Sequence, residues 1–135
     1  MGRKRHILVD TLGLIMLVMV HSADIQDRVG ARLVLEKLKG AFGSLKLIWV
    51  DGGYSGKLQE WLAALLPWRS IKIEVVKRSE LHTFKILPKR WIVERTFAWM
   101  EFYRRLAKDY EARIDHSEAM VLLASSRLML KRLSK

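Results

Sequence analysis

At 135 residues the chain suits one compact domain and is short for two. Half of its residues are hydrophobic, enough to build a core and too many for wholesale disorder. Lys and Arg number 25 against 14 Asp and Glu, a charge of +11 that favours polyanionic partners, nucleic acid first; the lack of cysteine excludes disulfides and thiolate metal sites and fits a reducing cytoplasm.

The amino terminus carries the outward marks of a signal peptide: a basic "GRKRH", an apolar "LIMLVMV" and a small-residue "HSA". Asp10 and Gly13 interrupt the apolar stretch, and what remains is far shorter than the roughly 20 residues that span a bilayer. The segment reads better as part of the fold, a strand over 6–10 and a strand over 14–20 joined by a short Gly-containing turn. Next, Val29, Leu33 and Leu38 against Asp27, Glu36 and Lys37 predict an amphipathic helix over 27–39.

"KLIWVDGGYSG" follows, a run of β-formers at 46–51 that ends on Asp51 and then Gly52 and Gly53. Two readings of Asp51 stand on these residues. It starts a turn, the commoner role for Asp before Gly; or it holds a charge at the carboxyl edge of a sheet, where α/β folds place their active sites. A helix over 55–65 begins at a candidate Ser55 cap and stops at Pro67, and "IKIEVV" alternates as a half-buried strand over 71–76. Two long helices, near 89–107 and 116–133, complete the order, the second with Asp115 and Glu118 at the spacing of a capping box. A hairpin followed by alternating helices and strands predicts an α/β fold, a mixed sheet flanked by helices, in a single domain over 1–135.

On the helix after Pro88, Arg90 and Glu94 share a face, and the neighbours Trp91, Ile92, Val93, Phe97 and Ala98 make apolar company for an acid. A helix-start acid paired with Arg90 accounts for Glu94 by itself. The histidines His6, His21, His82 and His116 have no metal-binding spacing and read as surface or capping residues. Trp61, Trp68, Trp91 and Trp99 read as core rather than as base-stacking platforms.

"GRKRHILVDTLGLIMLVMVHSADIQDR", "WVDGGYSG" and "LPKRWIVERTFAWMEFYRRLAKDYE" together resemble the catalytic domain of bacterial insertion-sequence transposases, the DDE enzymes, most closely the insertion-sequence-five group. The resemblance covers essentially the whole chain and implies a ribonuclease-H-like fold that cuts and joins DNA. It implies that Asp51 is the second and Glu94 the third catalytic acid, together holding Mg²⁺ (or Mn²⁺), two ions in the complete site. Such ions activate water or a 3′-hydroxyl and stabilise the leaving oxygen. Transposon-end and target DNA are the implied partners, in the bacterial cytoplasm at the nucleoid and without a membrane. Arg3, Lys4, Arg5, Lys89, Arg90, Arg95, Arg104 and Arg105 are the candidate DNA contacts.

The chain departs from the family signature in three places. Leu87 stands where the pattern has Tyr, Glu101 stands where it has Lys, and the strand bearing the first Asp would lie upstream of "GRKRH". Asp10 also ends an apolar strand, but at the hairpin turn, and reads as structural. The expectation is therefore an N-terminally truncated domain, a C-terminal portion lacking its first strand and inactive alone. It would be completed by the N-terminal part of the transposase or by another subunit. The alternative is a non-catalytic DNA-binding or subunit-pairing fragment, from a split reading frame or a decayed remnant.

Overall fold

Strand β1 (Arg3–Val9) turns back into β2 (Ile15–Ser22), and the two pair antiparallel with His6 opposite Met19 and a shift of register at Leu8/Val9. The computed structural model describes residues 2–54, 57–76 and 90–135. Asp10 closes the turn as expected. Its Oδ1 accepts the N–H groups of Leu12 at 2.9 Å and Leu14 at 2.8 Å, and Gly13 takes φ +81°, where a side chain is strained.

The remaining elements are α1 (Asp27–Glu36), β3 (Leu47–Asp51), a 3₁₀ turn (Gly52–Tyr54), α2 (Leu58–Leu65), β4 (Lys72–Val76), α3 (Arg90–Glu101), α4 (Arg104–Ala107) and α5 (Ile114–Leu133). Among the described residues this is a mixed α/β chain whose strands are bonded in pairs, one antiparallel and one parallel. It divides into two compact units: Met1–Asp24 with Ile92–Lys135, and Ile25–Trp91.

In the first unit α5 packs on β2, and Ile15, Val18, Val20, Met100, Leu106, Val121 and Ala124 form the core. The helix predicted over 89–107 is broken at Phe102 and Tyr103, and Tyr103 is extended at φ −92° and ψ 112°. The core explains the break. In an unbroken helix Leu106 would point about 240° round from Met100, yet both are buried in the same cluster. The capping box expected at Asp115 is also absent. Arg113 is the N-cap, Asp115 pairs with it at 2.6 Å, and Glu118 instead accepts the Val20 N–H at 2.8 Å, satisfying an amide on the side of β2 away from β1.

In the second unit β3 and β4 run parallel, Leu47 opposite Lys72 and Asp51 opposite Val76, so both strands end at one edge. The inward face of α1 is Gly30, Ala31, Val34 and Leu35, continued by Leu38; Val29, expected inward, is 45% exposed. The reason is the entry of the helix, where Val29 lies in the first turn beside exposed Asp27 and Arg28. The carbonyls after α1 converge on one side chain. The Arg69 guanidinium donates to Leu38 O at 3.0 Å and Ala41 O at 2.9 Å, and to Phe42 O. Gln59 bonds the outer edge of β4, donating to Ile71 O at 3.0 Å and accepting from Ile73 N at 2.5 Å. The expected Ser55 cap of α2 lies outside the described residues, as do Leu87 and Pro88. No helix among the described residues is long and apolar enough to cross a membrane.

Candidate active site

Asp51 is the last residue of β3 and is exposed. The chain turns immediately into the Gly52–Tyr54 helical turn, so the carboxylate reaches forward to its own backbone: Oδ1 accepts the Gly53 N–H at 3.0 Å. A Cβ on Gly53 would stand 3.2 Å from that oxygen, which is a reason for glycine there. The other oxygen, Oδ2, accepts no hydrogen bond among the described residues. Both readings of Asp51 therefore hold in part: it does organise a turn, and it also leaves a carboxylate oxygen open at the carboxyl edge of a parallel strand pair.

Tyr54, three residues on, is half-buried. Burial, then the charges of Asp51 and of Asp27 at the start of α1, push its phenol up to about 12. The side chain thus stays protonated at physiological pH and places an O–H near two carboxylates. In the sequence Asp27 is marked only as an outward residue of the first helix, and Tyr54 carries no mark of its own. The signal was present only as the "GGY" that returns the chain towards α1.

Glu94 lies in the second turn of α3 and is exposed. Of the apolar neighbours expected for it, Ile92, Val93 and Phe97 are half-buried. Trp91 (39% exposed) and Ala98 share its outward face, while Thr96 and Met100 turn inward. The difference arises because neighbours along a helix divide between opposite faces. Asp51 belongs to the second unit and Glu94 to the first. Among the described residues no three His, Asp or Glu side chains are grouped as a metal site. Exposed carboxylates are nonetheless the hard oxygen donors that Mg²⁺ selects, and it often takes only one or two from the protein. Asp51 with its open Oδ2 fits that requirement.

The basic candidates divide. Arg3 meets Asp109 at 3.3 Å and donates to Ala112 O; Arg5 donates to Leu106 O at 2.7 Å and lies 3.8 Å from Asp109. Arg105 pairs with Glu111 at 2.7 Å. Arg95 donates to Leu12 O at 2.8 Å and lies over the Trp99 ring, 4.6 Å from its centroid. Lys4 is half-buried on β1 and Arg104 is exposed on α4. Arg90 opens α3, but its side chain, like all of Lys89, lies outside the described residues. Arg3, Arg5 and Arg105 are thus held by the protein's own acids. Asp109, the partner of the first two, was not legible because its contacts span more than a hundred residues.

Two further expectations are corrected. His6 and His21 are 7% and 4% exposed rather than on the surface, because His6 faces the same side of the hairpin as its near neighbour His21 and the rings stack at 4.7 Å. Trp68, expected in the core, is 70% exposed, since the turn after Pro67 carries it outward.

The family described as transposase DDE domain matches residues 1–129. A protein of Burkholderia cepacia named as a transposase for insertion sequence element IS402 is 27% identical over 129 residues, which are 90% of this chain and 60% of that protein. No solved structure matches.

Proposed function

Because the chain belongs to the transposase DDE domain family, we propose that it carries two of the three acids of a DNA strand-transfer site, Asp51 and Glu94. The observation that carries this reading is the end of β3, where Asp51 is anchored through Oδ1 and, among the described residues, open at Oδ2, within the stretch that the family matches. Asp51 and Glu94 would hold Mg²⁺ (or Mn²⁺), and the ions when bound supply an activated oxygen nucleophile and a stabilised leaving oxygen. The chain's own part is to fix the carboxylates: the Gly53 N–H orients Asp51, and the protonated Tyr54 stands near it.

A ribonuclease-H-like fold of the insertion-sequence-five type is the architecture that this reading implies. Among the described residues each sheet has two strands, so β1 and β3 each have one strand partner there. The outer edges of β2 and β4 are already met by Glu118 and Gln59. A strand bearing the first acid, from outside these residues, would pair with an edge left available. The relative extends well beyond the matched stretch, and this chain covers 60% of its length. On this reading residues 1–135 are a C-terminal portion of one catalytic domain, acting in the bacterial cytoplasm on transposon-end and target DNA with the rest of the transposase. The test is strand transfer by the full-length protein carrying Glu94→Gln. Loss of transfer with DNA binding retained is expected, and near-normal transfer would remove Glu94 from the site.

A further inference from the structure

We propose that the C-terminal half of α5, seated over Trp99 and Tyr103, is a docking face for the phosphate backbone of duplex DNA, with Arg127, Lys131 and Arg132 as its contacts. This rests on the reading of the chain as a protein that acts on DNA, but not on the assignment of either acid.

The argument begins with neutralisation. Of the unit's other arginines, Arg3 and Arg5 pair with Asp109, Arg105 with Glu111 and Arg113 with Asp115, while Arg95 is held by Leu12 O and the Trp99 ring and Arg104 is exposed on α4. From Ala119 to Lys135 there is no Asp or Glu at all. Among the described residues no carboxylate meets Arg127, Lys131 or Arg132, and all three are exposed.

Aromatic rings position these charges without cancelling them. The Arg132 guanidinium lies 4.5 Å from the centroid of Trp99, which also carries Arg95 at 4.6 Å, and Arg127 lies 6.0 Å from the centroid of Tyr103. Two guanidinium groups on one ring repel each other, and an exposed cation–π contact returns only about 0.5–1 kcal/mol. An anion binding there would relieve the repulsion. The negative end of the helix dipole accounts for Lys131 and Arg132 in the last turn, but Arg127 lies further back.

A planar guanidinium held on a ring presents its N–H fork outward, the geometry that suits a phosphate. Leu123, Leu130 and Leu133 are exposed on α5 and would suit a lipid surface. Leu123 and Leu130 leave the helix about 40° and 60° from Arg127 but about 180° and 160° from Arg132, so a flat membrane seated on those leucines reaches Arg127 and not Arg132. Duplex DNA is the better fit.

The experiment is a salt titration of duplex DNA binding by the whole chain. Arg127→Gln, Lys131→Gln and Arg132→Gln together should weaken binding and flatten the slope of log affinity against log salt by roughly 2–3, at about 0.9 per phosphate contact. Arg28→Gln, Lys39→Gln and Lys46→Gln together remove equal charge from the other unit and should leave most of the slope. Arg132→Lys should keep it, and because binding is read without divalent metal, failure of this face is distinct from failure of the strand-transfer reading. Should the triple variant misfold, Lys131→Glu alone is expected to lower affinity and slope with an unchanged melting curve. An unchanged slope in the face variants, or an equal loss in the charge-matched control, overturns the proposal. So does a face whose loss affects binding to phosphatidylserine vesicles and not to duplex DNA.

Discussion

The Thr96 hydroxyl lies 2.7 Å from the Gly13 carbonyl and fastens α3 to the turn of the β1–β2 hairpin. Glu94 precedes Thr96 by two residues on the helix that this bond fastens. The same oxygen would stand 2.9 Å from a Cβ on Gly13, whose φ is +81°. Gly13→Ala should therefore destabilise the chain by at least about 1–2 kcal/mol, from left-handed strain alone. Thr96→Val should cost about 1 kcal/mol through the lost hydrogen bond. Chemical denaturation measures both, and a Gly13→Ala chain as stable as the parent would show the turn to be free of this constraint.

Asp109 gathers the Ser117 hydroxyl at 2.6 Å, the Glu111 N–H at 3.2 Å and the charges of Arg3 and Arg5. Burial pushes its carboxyl up, but the two hydrogen bonds and the two arginines together hold it below its ordinary 3.8. A depressed carboxyl contributes stability that is present above its unfolded value and is lost as the pH falls through the folded one. Acid unfolding should accordingly include an Asp109 component below pH 3.8 that Asp109→Asn removes. The substitution should also lower stability at neutral pH by about 1–3 kcal/mol. Identical acid-unfolding curves for parent and variant would exclude this role.

Tyr54 titrates in the opposite sense. Its phenol is raised from 10.0 to about 12, by burial first and then by Asp51 and Asp27. The stability linked to the protonated phenol is thus fully present below pH 10 and is lost as the pH rises through about 12. Ultraviolet titration of tyrosinate, with Tyr54→Phe to identify the step, should place one tyrosine well above the ordinary range. Asp51→Asn should move that step down but not all the way, since burial is the larger cause. If the step stays put in Asp51→Asn, the two side chains are not coupled.

Asp51→Asn keeps an oxygen for the Gly53 N–H and removes only the charge, and Glu94→Gln changes an exposed side chain. Each should alter stability by no more than about 0.5 kcal/mol, the scale of an exposed helix pair. In the full-length transposase each should abolish strand transfer. The double variant should be no worse than either single one, because losses within one working unit do not add. Calorimetry and a strand-transfer assay make the check, and additive partial losses would place the two acids in separate roles.

Periodicity and turn chemistry are short-range, and what they govern was legible in the sequence. The hairpin around Asp10 and Gly13, the strand ending on Asp51, the glycine turn after it and the helices over 27–36 and 114–133 all follow from residues within a few positions of one another. Which charges remain available was decided only by the tertiary structure. Arg3 and Arg5 look like a nucleic-acid patch until Asp109, across a separation of 106 residues, neutralises them. Arg127 and Arg132 look like an ordinary helix end until Tyr103 and Trp99 come beneath them. The break at Tyr103 and the stacking of His6 on His21 belong to the same class, because burial against a remote partner outweighs local propensity. A side chain's charge and helical face are written in its neighbours along the chain; its partner is written in residues that only folding brings near.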